Sequence, residues 1–300
     1  MRRAIPVLAF LAFWACAPAA AQTYTIVQKV SSSGTTSVSS KAVAFTSNIA
    51  SGNMLFTCFN WGNSAGTPTV SDTLTNTWTE FLSVVRGVSG LNDLSCFWAK
   101  AASSGADTVT ESESGGGNHT LRVEIKEVSA STGWLASPVD QHNSASNATA
   151  TCCTTGNPGN ITPSVTSTFF VSAMQTGTSG VTNITVTNCT EEFGSGTAGT
   201  GWLSDGRADG ATISGASTSS QTCTYSWTTA AAWSALLGNF KATAAGGGSS
   251  APQLPLTGVG KFLLSKLFLP TAQPGRAPRR AVGVEIIFAN EPETAKEKRR

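Results

Sequence analysis

Short runs that alternate every second residue, with no long stretch at helical spacing, are the feature that most narrows what this chain can fold into. In "HTLRVEIKEV" (residues 119–128), Leu121, Val123 and Ile125 fall on one side and Arg122, Glu124 and Lys126 on the other. That is the pattern of a strand with one face in a core and one in water. "NMLFTCFNW" (53–61) and "LSCFWAK" (94–100) are apolar in both phases, as strands covered on both faces are. "STFFVSAM", "NITVTNCTEEF", "QTCTYSWTT" and "AWSALLGNFKA" repeat the theme, each bounded by Gly, Asn, Ser or Pro. The prediction is an all-β chain, one antiparallel β-sandwich over residues 22–245. "TVSDTLTNTWTEF" (69–81) and "ITVTNCTEEF" (184–193) echo one another. Two similar halves interleaved in one sandwich would explain the echo, as would coincidence in a Thr-rich chain, and we count one domain.

Gly52-Asn53 before an apolar strand, then "SDTLTNTWT", "FWAKAASSGADTVT" and "RVEIKEVS", resemble a widespread kind of bacterial exported domain. The resemblance covers about residues 26–245. It implies a jelly-roll, two-sheet β-sandwich on a surface protein, a class mostly without assigned activity. One departure is the turn usually written Gly-Asn-Thr, here Thr75-Asn76-Thr77. Glycine enters positive φ more easily than threonine does. The cysteines look like this chain's own addition.

"MRRAIPVLAFLAFWACAPAAAQ" carries Arg2 and Arg3, an apolar run and Ala19 and Ala21 at signal-peptidase spacing, so residues 1–21 read as a signal peptide. Phe13 and Trp14 ahead of Cys16 argue against a lipobox. With Cys16 removed, Cys58, Cys96, Cys152, Cys153, Cys189 and Cys223 remain, an even set that reads as disulfides in an exported protein. Cys58 and Cys96, each mid-strand, form the preferred bridge; Cys189 or Cys223 is expected to pair with Cys152 or Cys153. The predicted location is secreted or extracellular, in association with the cell surface.

Charged residues make up 12% of the chain, against about 25% in ordinary globular proteins. Residues 22–245 hold 8 Lys and Arg against 13 Asp and Glu, net −5. Such a body offers no basic stripe for a phosphate backbone, which argues against nucleic acid as a partner.

Catalytic signals are sparse. No GxSxG occurs, and His119 and His142, the two histidines, lie in polar, turn-rich surroundings. Glu111 and Glu113 share one face, the arrangement sandwich-fold glycosidases use for paired carboxylates; Glu124 and Glu127 differ in parity, and Glu191-Glu192 is unremarkable. All read as solvated strand charges. Asp205 and Asp209 in "SDGRADG" suggest a loop that would hold calcium, the one cofactor we consider, though the odd-position acidic series of a calcium loop is missing. Trp134 in "STGWLASP" and Trp202 in "GTGWLSDG" sit in turn-rich stretches and are the candidate ligand platforms. Trp61, Trp98 and Trp227 read as core.

After "AAGGGSSAP", a flexible linker by composition, Leu254, Pro255, Leu256, Thr257 and Gly258 spell a sortase sorting signal. The following apolar stretch is broken by Lys261 and Lys266 and falls short of the roughly 20 residues a membrane span needs. Residues 246–300 therefore read as a linker and basic, disordered tail that is not expected to be cut by sortase, and the mature chain is expected to have no integral span. The function these features suggest is non-catalytic binding outside the cell, with glycan or another surface protein as ligand. A glycan-active hydrolase and a purely structural module of a surface assembly are the rivals.

Overall fold

In the computed structural model the described residues are 22–244, apart from 62–65, 85–92, 115–118, 177–180, 182–183, 192–208, 213 and 217. The linker and tail, with Leu254 to Gly258, lie outside them, as does the signal peptide. Every regular element among the described residues is a strand. In chain order they are β1 (Tyr24–Val38), β2 (Ser40–Ala44), β3 (Met54–Trp61), β4 (Pro68–Asp72), β5 (Thr79–Val84), β6 (Asp93–Lys100), β7 (Thr108–Glu113) and β8 (His119–Ala130). The second half continues with β9 (Trp134–Asn147), β10 (Cys153–Gly156), β11 (Ser167–Thr176), β12 (Thr185–Thr187), β13 (Thr190–Glu191), β14 (Asp209–Thr212), β15 (Ser214–Ala216), β16 (Thr224–Ala231) and β17 (Trp233–Ala242).

All pairings are antiparallel, as the alternation predicts, but the sheets among the described residues number four rather than two. Residues 24–130 form one sheet of order β1-β8-β3-β6-β5 and one of order β2-β7-β4; residues 134–242 form β13-β14-β11-β17-β9, with β15 also on β11, and β10-β16-β12. Read from β9 onward, the second half repeats the strand order of the first. The echo seen in the sequence therefore reflects a real correspondence, but the halves stack instead of interleaving.

Three cores define the layering. Met54, Phe56 and Cys58 of β3 meet Phe169, Val171 and Ala173 of β11 and Leu236 and Phe240 of β17, so the two larger sheets face each other. Leu55, Phe59 and Trp61, the alternate residues of β3, pack with Val109 of β7 against the first small sheet. Phe170 and Met174 of β11 pack with Tyr225 and Trp227 of β16 against the second. The strands apolar in both phases are those of the two inner layers, which have no water face.

That layering corrects the reading of "HTLRVEIKEV". Arg122, Glu124 and Lys126, taken as the water face, are 1%, 1% and 3% exposed. They share the face of β8 that carries Val128, the face toward the second half. Alternation marks two chemically different faces; it does not say that the charged one is wet.

Between β4 and β5 the carboxylate of Asp72 accepts hydrogen bonds from Asn76 N (2.9 Å), Asn76 Nδ2 (2.8 Å) and Trp78 Nε1 (2.8 Å), while Asn76 Oδ1 accepts from Ala102 N (2.8 Å). This frame holds Thr75 at φ +57°, where the resembled domains place glycine. Left-handed backbone costs an L-residue about 1–2 kcal/mol, and the added freedom of an unfolded glycine offsets part of the gain from removing it. Thr75→Gly is therefore expected to stabilise the protein by about 0.5–1 kcal/mol. A lower urea midpoint for the variant would contradict this.

Candidate functional site

Four of the carboxylates weighed for catalysis, Glu111, Glu113, Glu124 and Glu127, lie inside the sheet stacks, not on a surface. Glu111 and Glu113 share the inner face of β7, 0% and 5% exposed. Glu111 accepts a 2.6 Å hydrogen bond from Thr57 Oγ1 of β3, and burial pushes its carboxyl up to about 8 despite that bond. Glu127 is fully buried and accepts from Gln28 Nε2 (2.7 Å), Ala50 N (2.8 Å) and Asn53 Nδ2 (2.6 Å), tying the segment before β3 to β8. These groups were read as solvated charges; the fold instead uses Glu127 as an internal anchor and keeps Glu111 in a dry core.

Trp134, expected as an exposed platform, is 3% exposed. Although it follows a turn, it is the first residue of β9, and its ring packs among Tyr24, Phe56 and Phe169 while Nε1–H donates to Val128 O at 3.1 Å. Trp202, Asp205 and Glu192 lie outside the described residues. Asp209 opens β14, opposite Met174 of β11, so its backbone is part of a sheet. No group of three His, Cys, Asp or Glu that would hold a metal ion occurs among the described residues. His142 is exposed on strand β9 rather than in a loop.

The cysteines pair as Cys58–Cys96, Cys189–Cys223 and the adjacent Cys152–Cys153. The first is the preferred bridge of the sequence reading. The second pairing differs from it: Cys152 and Cys153 close on each other, while Cys189, after β12, meets Cys223, before β16, across the small sheet of their own half. Three disulfides fit an oxidising compartment. No helix among the described residues is long and apolar enough to cross a membrane.

Among its described residues the second half presents an edge of amides and hydroxyls to solvent. Gln141, His142, Asn143 and Ser146 are exposed along β9. Beside them, Asn157 Oδ1 accepts from Gly159 N (2.7 Å) and Thr222 Oγ1 (2.8 Å), and Asn157 Nδ2 donates to Thr224 Oγ1 (3.0 Å). Asn143 Nδ2 donates to Asn160 O at 3.2 Å. Gly159 sits at φ +93°, and a Cβ there would run into the Asn143 amide, so only glycine lets the turn lie this close to β9. At the far end of the same half, Cys152–Cys153 lies beside Trp227 and Trp233. The sequence reading missed both features. The adjacent cysteines were visible; that they pair with each other was not, and the amide edge is assembled from segments up to 81 positions apart, Asn143 to Thr224. Comparison with protein-family models, with curated proteins and with solved structures returns no match.

Proposed function

We propose that the chain is a non-catalytic binding module that works outside the cell or at its surface, with glycan as the ligand class. The observation that carries this reading is the rigid, uncharged edge of Asn143, Asn157, Asn160 and Thr222 beside exposed Gln141 and His142. Its hydrogen bonds within itself fix the Asn143 and Asn157 amides and the Thr222 hydroxyl before any ligand arrives, which lowers the ordering cost of binding. Amides and hydroxyls in fixed positions are suited to sugar hydroxyls, each of which both donates and accepts.

Export by residues 1–21 and the three disulfides fit this setting. We read each half as a jelly-roll-type unit, supported by β1-β8-β3-β6 over β2-β7-β4 and its counterpart β9-β17-β11-β14 over β10-β16-β12. A glycan array probed with the full chain tests the reading. Selective binding that Asn143→Ala weakens about tenfold, the loss of 1–2 hydrogen bonds, is the expected result. Turnover of a polysaccharide by the same preparation would replace binding with hydrolysis, and a blank array would sink the glycan assignment.

A further inference from the structure

β10 is four residues long and is held to β16 by three opposed pairs, Cys153 with Ala231, Thr155 with Ser226 and Gly156 with Tyr225, with a register shift after the first. Beneath it lie Trp227 and Trp233, 5% and 9% exposed. The cover is close: a Cβ at Gly156 would come within 2.8 Å of the Trp233 ring and 3.1 Å of Trp227. Among the described residues neither indole Nε1–H has a hydrogen-bond partner. A buried donor left this way is destabilising by about 1–3 kcal/mol, so a large aromatic surface with two unused donors sits under one of the least anchored strands.

The adjacent disulfide marks the start of that strand. Cys152 is exposed, and Cys153 packs against the Trp227–Trp233 cluster. Cys152 Sγ lies 3.6 Å from Ala231 O, beside the corner where β16 turns into β17 and Trp233 begins. The other bridges are less accessible: Cys58 and Cys96 are 4% and 0% exposed, and Cys189–Cys223 joins a half-buried sulfur to one that is 0% exposed. A bond between neighbours closes almost no chain, so it adds little to global stability. An exposed disulfide is also the kind that thiols reach first.

We propose that Cys152–Cys153 is a thiol-sensitive latch: oxidised, it holds β10 over Trp227 and Trp233; reduced by a dithiol, it frees the strand and bares both indoles as an aromatic binding surface. The chemistry is thiol–disulfide exchange. A donor thiolate attacks Cys152 Sγ, the Sγ–Sγ bond breaks, and Cys153 leaves as a thiolate that takes up a proton. The donor's second thiol then attacks the mixed disulfide, releasing Cys152 as a thiol while the donor departs as its own disulfide. Two electrons pass from donor to protein. That the bared indoles take the flat face of a sugar ring rests on the glycan reading above; the latch does not.

The test uses the full chain, titrated with dithiothreitol, alkylated, and mapped by mass spectrometry, with acrylamide quenching of tryptophan fluorescence read in parallel. Cys152 and Cys153 are expected to label first, with Cys58–Cys96 and Cys189–Cys223 intact, accompanied by a red shift of emission and a higher quenching constant. Cys152→Ser/Cys153→Ser should show the raised quenching without reductant and no further change when it is added. Labelling at Cys152 and Cys153 with unchanged emission and quenching would overturn the latch, as would a double variant that quenches like the oxidised parent. A glycan array run on oxidised and reduced protein separates the two readings: binding gained on reduction supports the sugar assignment, and an open latch with a blank array removes that assignment alone.

Discussion

Glu111→Gln is expected to make the protein more stable at neutral pH, by about 3–4 kcal/mol. Glu111 is fully buried between the sheet of β3 and that of β7, with Thr57 Oγ1 as its hydrogen-bond donor, and desolvation raises its carboxyl from 4.5 to about 8. Below 4.5 the group is protonated in both folded and unfolded chains, and its full contribution to stability is present. As pH rises from there the unfolded chain releases the proton while the folded chain keeps it, so stability falls by about 1.4 kcal/mol per pH unit until the folded group also ionises near 8. Glutamine is neutral throughout and offers the same oxygen to Thr57. The variant should therefore match the parent near pH 4.5, gain on it steadily to pH 8, and hold a constant lead above that. Lys41 stands directly across from Glu111 on β2. Were the carboxyl held ionised by that ammonium, the substitution would destabilise at pH 7, and denaturation series at pH 5, 7 and 8.5 separate the two outcomes.

Local periodicity carried the strands well. Both-phase apolar runs such as Met54–Trp61 are strands buried on two sides. The departure from glycine at Thr75 put the conformation of that turn in question, and the threonine takes a positive φ all the same. Layer number was not legible, because it depends on which faces meet. Arg122, Glu124 and Lys126 look wet from their own strand and are enclosed only once residues 134–242 fold against it. The same limit explains Trp134. Turn residues around it suggested an exposed loop, but the strand it opens turns its ring onto Tyr24 and Phe169, 110 and 35 positions away.

The three disulfides differ in what they do, and the difference is measurable. Cys58 and Cys96 are directly opposed on β3 and β6, inside the core between the two larger sheets, and are 38 positions apart in sequence. Chain-entropy arguments assign a closed loop of that length about 4 kcal/mol, against about 1 kcal/mol for neighbours. Replacing Cys58 and Cys96 together with alanine is expected to lower stability by about 4 kcal/mol, with a further small loss from the sulfur atoms removed from a packed core. In a domain of more than 200 residues that corresponds to a fall in Tm of roughly 10 °C. Cys152→Ser/Cys153→Ser should lose about 1 kcal/mol by the same measure. The ratio is the informative quantity, since it separates a bridge that constrains the unfolded chain from one that holds a single local strand. Equal losses for the two double variants would mean that Cys152–Cys153 supports the fold at large, and the case for a separable latch over Trp227 and Trp233 would go with it.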